Sequence, residues 1–460
     1  MASRGIVAAA AYLPHRRLDR RTIAAVAGGG GGDGTRSVAG YDEDTTTMGV
    51  EAARAALRTV PGAAPDTLWF STVAPAYADK TNATTVHAAL RLARASRAFD
   101  VNGSVRSSVG ALFAAAHGDG THLVVSADLR AGLAGGADEA TFGDGAAALV
   151  VGDDEADAPV LAELIGGGTA TEEFLDRWRV PGDVRSKVWE GRFGETRYVP
   201  LGEAAWEDSL KSAGLVAEQV DRIAIAGPHA RAVGALAKKV AAGDRLVGAD
   251  LAATVGNVGA AQPAVLLTAA LEAAEPGQVI ALVVLADGAD VMLYRATDAV
   301  AAWTPGRPVA DQATRGATID YGTYLRWRGI LPVEPPRRPE PARPSASASL
   351  RSADWKLGFV GSSDAGGEIH LPPQPGDPAA VPMADATGTI ATFTVDRLAY
   401  SPSPPVVFAV VDFDGGGRLP VELTDVDVDQ VRIGASVELT FRKLFTADGI
   451  HNYFWKARLR

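Results

Sequence analysis

"FDVNGSVRSSVGALFAAA", Phe99 to Ala116, decides how this chain is read. A strand-like start gives way to a polar Asn-Gly-Ser turn, and the turn opens into a run of small and apolar residues of helical length. A helix that is apolar nearly all round must be buried, and its first turn points free backbone N–H groups at whatever precedes it. The same arrangement returns as "VGNVGAAQPAVLLTAALEAA" at 255–274. Each copy is followed by a strand and later by an Asp-Gly turn feeding another, "GDGAAALVV" at 143–151 and "ADGADVMLY" at 286–294. Two copies of one supersecondary unit explain that order, with shared Ala/Gly composition as the alternative.

Outward from this pair, strand patterns alternate with Ala-rich helical patterns up to Trp303. Strands are expected at 5–13, 67–74, 122–128, 147–153, 222–227 and 279–287, and helices at 46–60, 82–93 and 203–215. That alternation predicts an α/β layered fold in two halves, 1–155 and 156–303. From 304 to 351 a short amphipathic segment, "TIDYGTYLRWRGIL", runs into the Pro- and Ser-rich linker "PVEPPRRPEPARPSASASLR". After a segment at 352–385, closely spaced alternating strands over 386–460 predict a small β-barrel.

Composition narrows the function. The chain has 460 residues and a formal charge of −11, which argues against nucleic-acid binding, because phosphate neutralisation needs clustered Lys and Arg. Its only aromatic-basic cluster in the barrel, "HNYFWKARLR" (451–460), is expected to close the barrel core. Zero cysteines exclude disulfides, thiolate catalysis and Cys-ligated metal. The N-terminal apolar run is too short to span a bilayer and lacks the order of a secretion signal, so the expectation is a cytoplasmic protein without a membrane partner.

Several of these stretches carry a resemblance. "GIVAAAAYLP", "YDEDTTTMGVEAARAAL", "FGDGAAALVVG", "VGNVGAAQPAVLL" and "ADGAD" stand in the order of the thiolase superfamily. Within it the chain most resembles 3-hydroxy-3-methylglutaryl-CoA synthases and single-chain β-ketoacyl-carrier-protein synthases. "YLRWRGIL", "GEIHLPP" and "GTIATFTVD" with "PPVVFAVVDFDGG" resemble acyl-CoA-associated OB-fold proteins that carry a zinc ribbon before the barrel. The resemblance implies a duplicated five-layer α-β-α-β-α fold followed by an all-β OB barrel. It also implies an acyl-CoA or carrier-protein thioester as substrate, and pairing through the central sheet as a homodimer or with an active homologue.

The family chemistry transfers only in part. Val105 falls where the family places its acyl-accepting cysteine at the start of the buried helix. Ser104 beside it is a candidate nucleophile, or, with Ser107 and Ser108, a helix cap. Ala226 matches the family histidine, and His229 three residues on is either its substitute or a structural residue. Asn257 matches the asparagine that supports a thioester oxygen or enolate, or is a turn residue tolerating left-handed geometry. The region of the family's catalytic glutamate, "STVAPAYADKTNATT" (71–85), has none. It offers Tyr77 as a proton-transfer group, and Asp79 beside Lys80 as an ordinary ion pair. Trp178, Arg179, Arg185, Trp189 and Arg192 are the candidate CoA-binding residues, or a salt-bridged insertion. The ribbon's metal positions fall on Ser363, Gly366, Asp377 and Ala380, near His370, so zinc is not expected.

Three functions follow. The leading one is aldolase or retro-aldolase-like chemistry on a β-hydroxyacyl-CoA without a covalent intermediate. The others are Ser-dependent acyl transfer or Claisen condensation, and a catalytically dead thiolase-like scaffold partnering an active homologue.

Overall fold

Arg4–Tyr12, rich in Ala, Ile and Val, is a strand buried along nearly its whole length, and it forms the seam of the first domain. On one side it pairs antiparallel with Gly145–Asp153, and on the other it meets Ala162–Ala170 through Gly5 and Ile6. A Cβ at Gly5 would lie 2.0 Å from the Ala162 carbonyl oxygen, so only glycine lets the strands close there. The computed structural model describes residues 4–155, 158–340, 345 and 350–460.

Outward from the seam, the first half continues through Gly145–Asp153, His122–Asp128, Thr67–Ser71 and Arg97–Asp100. The second half continues from Ala162–Ala170 through Ala289–Ala296, Val279–Leu285 and Arg222–Ala226. Beyond the last of these, Leu246 makes an isolated parallel bridge to Ile223, a vestige of the matching edge strand. The two halves therefore share one strand order, as the repeated sequence unit predicts.

The repeated helices, Arg106–His117 and Gln262–Glu272, lie between the halves, in one apolar cluster with strands from both. Thr45–Arg58 packs on the outer face of the first half; Gly191–Ala213 and Ala230–Val240 cover the second. The result is the five-layer α-β-α-β-α arrangement. One helix differs from expectation: it begins at Gly191 rather than Glu203, so part of the segment read as an insertion is helical.

The first domain also extends past Trp303. Ala317–Ile319 pairs in parallel with Arg16–Asp19, and Tyr321–Trp327 seats Tyr321, Tyr324 and Leu325 on Leu18, Ile23 and Val38. The amphipathic segment expected beside the linker is thus anchored to the first domain by its aromatic face. The linker positions 341–344 and 346–349 lie outside the described residues. Beyond them Val360–Ser363 pairs with Ile369–His370 and Ala379–Pro382 to form the ribbon. Thr387–Asp396, Val406–Phe413, Arg418–Leu423, Ile450–Leu459 and Ser436–Ala447 then close into the barrel. Among the described residues no helix is long and apolar enough to cross a membrane.

The barrel docks on "YDEDTTTMGVEAAR" (41–54) through buried charge. Lys456, 1% exposed, reaches Asp42 at 2.9 Å, Glu422 at 2.5 Å and the Tyr41 hydroxyl at 3.2 Å. Arg442, 0% exposed, pairs with Glu43 and Asp425 and donates to the Tyr12 hydroxyl. Arg458 bridges Glu51 and Glu438, while Arg54 pairs with Glu51 and lies over the Trp455 ring. "HNYFWKARLR" therefore contributes Tyr453, Trp455 and Ala457 to the core but also sends cations across to the first domain, which the barrel-closing expectation missed. Removing one member of a buried pair leaves its partner's charge stranded, at a cost of about 3–5 kcal/mol. Lys456→Met should lower stability in urea titration by that order; a change near zero would show that the network is not what holds the domains together.

Candidate active site

The turn after Arg97–Asp100 is fixed by backbone bonds. Val101 N–H donates to Phe70 O at 2.8 Å, Thr72 N–H to Asn102 Oδ1 at 3.2 Å, and Gly103 N–H to Thr72 O at 3.3 Å. Val105, 6% exposed, occupies the helix-start position and offers no side-chain cap. Ser107 Oγ accepts the Ser104 N–H at 3.3 Å, and Ser108 Oγ donates to Val105 O at 2.9 Å. These two serines satisfy local backbone. Ser104 lies near enough to Asp287 to lower the proton affinity of that carboxyl.

Asp287 belongs to the "ADGAD" turn and takes a left-handed backbone, φ 47°, which a non-glycine residue holds only when its surroundings enforce it. Arg106 supplies much of that enforcement. Its Nη1 donates to Asp287 O at 2.7 Å, its Nε and Nη2 grip the Asp290 carboxylate at 2.8 and 3.2 Å, and Nη2 also reaches Thr171 at 2.8 Å. Asp287 N–H points to the Tyr198 hydroxyl at 3.3 Å. Desolvation pushes the Asp287 carboxyl above the ordinary range, against the pull of Ser104 and Arg106.

His229 caps Ala230–Val240: its Nδ1 accepts the Ala232 N–H at 3.0 Å. The neutral ring therefore carries its proton on Nε2 and can act as a donor there, while its lone pair is committed. Facing it is Asp176, 3% exposed, whose Oδ1 has no hydrogen-bond partner. A Cβ on Gly194 would fall 2.4 Å from that oxygen and 2.7 Å from His229 Nε2, so glycine keeps the space between them open. Burial raises the Asp176 carboxyl, opposed by His229 and Arg177. Asn257 donates from Nδ2 to Gly227 O at 2.7 Å and accepts the Gly259 N–H on Oδ1 at 2.9 Å. The left-handed geometry expected there falls on its neighbours Gly256 and Gly259, φ 87° and 60°.

Ser104, His229 and Asn257 are thus linked around one corner through Asp287, Tyr198 and Gly227; Tyr198 and His229 rings lie 6.0 Å apart. Tyr77 is not part of that corner. Its hydroxyl accepts the His451 N–H at 2.8 Å and its ring lies 5.2 Å from His451, on the barrel. Lys80 donates to Thr81 O and the Thr84 hydroxyl, so the Asp79–Lys80 ion pair does not form. Trp178 and Trp189 face each other at 6.3 Å across the short hairpin of Arg177–Trp178 and Lys187–Val188. Arg179 reaches Val73 O, whereas Arg185 and Arg192 are exposed. Sequence reasoning missed Asp176, Tyr198 and Asp287. An aspartate between Ala286 and Gly288 at a tight turn was the one available signal for Asp287.

In the ribbon, Asp377 Oδ2 accepts from Ser362 Oγ at 2.5 Å and meets His370 Nδ1 at 2.8 Å. Zinc does not fit this set: the carboxylate and imidazole are bonded to each other, and among the described residues no three His, Cys, Asp or Glu side chains converge.

Fold and corner define a thiolase-like protein carrying an OB barrel. Residues 380–442 match the family described as ChsH2, C-terminal OB-fold domain. Hydroxymethylglutaryl-CoA synthase of Aeropyrum pernix is 30% identical over 350 residues, 72% of this chain and 96% of that one. The Pyrococcus horikoshii enzyme of that name is 28% identical over 342 residues, 70% of this chain and 95% of its own. Among solved structures, MvaS in complex with 3-hydroxy-3-methylglutaryl coenzyme A has the same fold, with TM-score 0.60, 24% identity, and 75% and 95% of the two chains covered. The 3-oxoacyl-(acyl carrier protein) synthase III of Pseudomonas aeruginosa follows at TM-score 0.55, 20% identity, and 64% and 98% covered. The chain belongs to the hydroxymethylglutaryl-CoA synthase family.

Val105→Cys places a thiol at the start of Arg106–His117, where the helix dipole favours thiolate. With no other cysteine in the chain, alkylation by iodoacetamide reports that thiol alone. It should titrate clearly below the ~8.5 of free cysteine; an ordinary titration would mean the helix start does not act on this position.

Proposed function

We propose that the protein carries out the aldol step of hydroxymethylglutaryl-CoA synthase chemistry, forward or in reverse, on free CoA thioesters rather than on a covalent acyl-enzyme. One observation carries this reading: an inert valine stands at the helix start, while Arg106 of the same turn holds the backbone of a desolvated aspartate, Asp287, near the Ser104 hydroxyl. Asp287 takes a proton from the carbon next to the thioester carbonyl, leaving an enolate. The enolate carbon bonds to the ketone carbon of a second acyl group, whose π electrons move to oxygen. The protonated Asp287 returns its proton to that alkoxide, with Ser104 as relay. His229 Nε2–H and the Asn257 amide are hydrogen-bond donors to the enolate oxygen. A carboxyl raised by burial is better matched to proton transfer near neutrality than an ordinary one.

On this reading Trp178 and Trp189 stack on the adenine of CoA, and Arg179, Arg185 and Arg192 meet its phosphates. A carrier-protein thioester is the alternative donor, in line with a curacin-pathway HMG synthase solved in complex with acetyl donor-ACP. The nearness of Ser104 to Asp287 also favours a second reading, in which Ser104 accepts the acyl group. The product formed from acetyl-CoA and acetoacetyl-CoA separates the two by mass: addition between free thioesters gives a product that keeps both CoA groups, whereas acylation of Ser104 releases one CoA and hydrolysis of the ester then frees a mono-CoA product. Asp287→Asn should lower kcat on the order of 10²–10⁴-fold, and Ser104→Ala by about tenfold or less. Abolition by Ser104→Ala, with an acyl ester on the wild-type residue, would replace the proposal; no activity with any thioester would leave the scaffold reading.

We also infer a homodimer. Among the described residues the outer edge of Arg97–Asp100 is unpaired, Phe99 is 44% exposed, and two such edges can pair antiparallel about a two-fold axis. Phe99→Lys should shift the mass in light scattering from dimer to monomer; an unchanged mass would place the contact elsewhere.

A further inference from the structure

The two repeated helices are covered unequally. Gln262–Glu272 is roofed by Val309–Thr314, whose Val309 and Ala313 join its core. Arg106–His117 has no such roof among the described residues: Gly110, Phe113, Ala114 and His117 face outward along one stripe. Beside that stripe lies a cavity of about 880 Å³. It opens next to Ser104 and Arg106 and runs between Val109, Gly110 and Phe113 on the helix and Leu164–Thr169 with Met292 on the facing strands. Gly166, Gly167 and Gly168 leave the floor bare of side chains.

We propose that this cavity is the acyl pocket, and that the substrate is a CoA thioester with a large, uncharged, apolar acyl group. The inference rests on the CoA-thioester reading above and adds the substrate class. Size is the first argument. At roughly the 30 Å³ of liquid that one water occupies, the space holds on the order of twenty heavy atoms, and an acetyl group would fill only a corner. Charge is the second. Arg106, the one arginine or lysine in its lining, is held by Asp290 through two hydrogen bonds, so the cavity offers no unpaired arginine or lysine to an acyl carboxylate. Continuity is the third: Ser104, beside the corner where the thioester carbonyl would sit, is part of the lining. Apart from the Arg106–Asp290 pair the rest is mostly apolar or glycine, with Ser107, Thr169, Ser212 and His117 as its further polar members.

Gly110 gives a clean test. A Cβ there meets nothing within 4 Å, and leucine is a better helix former than glycine, so Gly110→Leu narrows the cavity by four carbons without strain. The experiment is calorimetric titration of the full chain and of Gly110→Leu with acetyl-, butyryl-, octanoyl- and decanoyl-CoA. In the wild type, affinity should rise at least tenfold from acetyl to octanoyl, because each buried methylene adds to binding. Gly110→Leu should erase most of that gain and leave acetyl-CoA binding within about twofold. Binding of acetyl-CoA with no dependence on chain length overturns the pocket while sparing the thioester site. A length dependence untouched by Gly110→Leu also overturns it. So does a change of oligomeric state in Gly110→Leu with the profile intact, which assigns the face to a second copy. No binding of any thioester removes both readings.

Discussion

Everything in this molecule hangs on a buried exchange of charge between its two domains. Asp42, Glu43 and Glu51 lie in the first domain beneath the barrel, and each would be prohibitive there alone. Lys456, Arg442 and Arg458 come from the barrel strands and neutralise them. Neither set of charges could be buried against apolar packing without the other, so the barrel docks as an integral part of the fold rather than a tethered accessory. The docking also fixes Tyr77 through His451, and the loop that carries Tyr77 starts at Thr72, which hydrogen-bonds the turn before Ser104. Barrel and acyl corner are mechanically connected.

The corner brings together a buried helix start, a caged asparagine and a glycine-rich turn. The chain has no cysteine, and the polar groups nearby are Asp287, in a left-handed backbone and desolvated near Ser104, and His229, whose Nδ1 is committed to its own helix. In the ribbon, Asp377 is bonded to both Ser362 and His370.

The fold was largely legible because its signals are local. Repeated polar turns running into small-residue helices gave the duplication, and alternating strands after the linker gave the barrel. What escaped depends on distant partners. The parallel pairing of Ala317–Ile319 with Arg16–Asp19 has no local signature, nor does the crossing of Lys456 and Arg458 to the first domain. Of the residues around the corner, Ser104, His229 and Asn257 were within reach of sequence reading because they sit in or beside motifs. Asp176 was not, since its importance comes from facing His229 across Gly194, a contact between segments far apart in sequence.

The most direct test is to incubate the full chain with acetyl-CoA in D₂O, following deuterium at the acetyl carbon by NMR and the intact protein by mass spectrometry. The account predicts enzyme-dependent exchange of the acetyl protons while the protein mass stays unchanged. An acetyl group retained on the protein, or no exchange above the rate without enzyme, would contradict it.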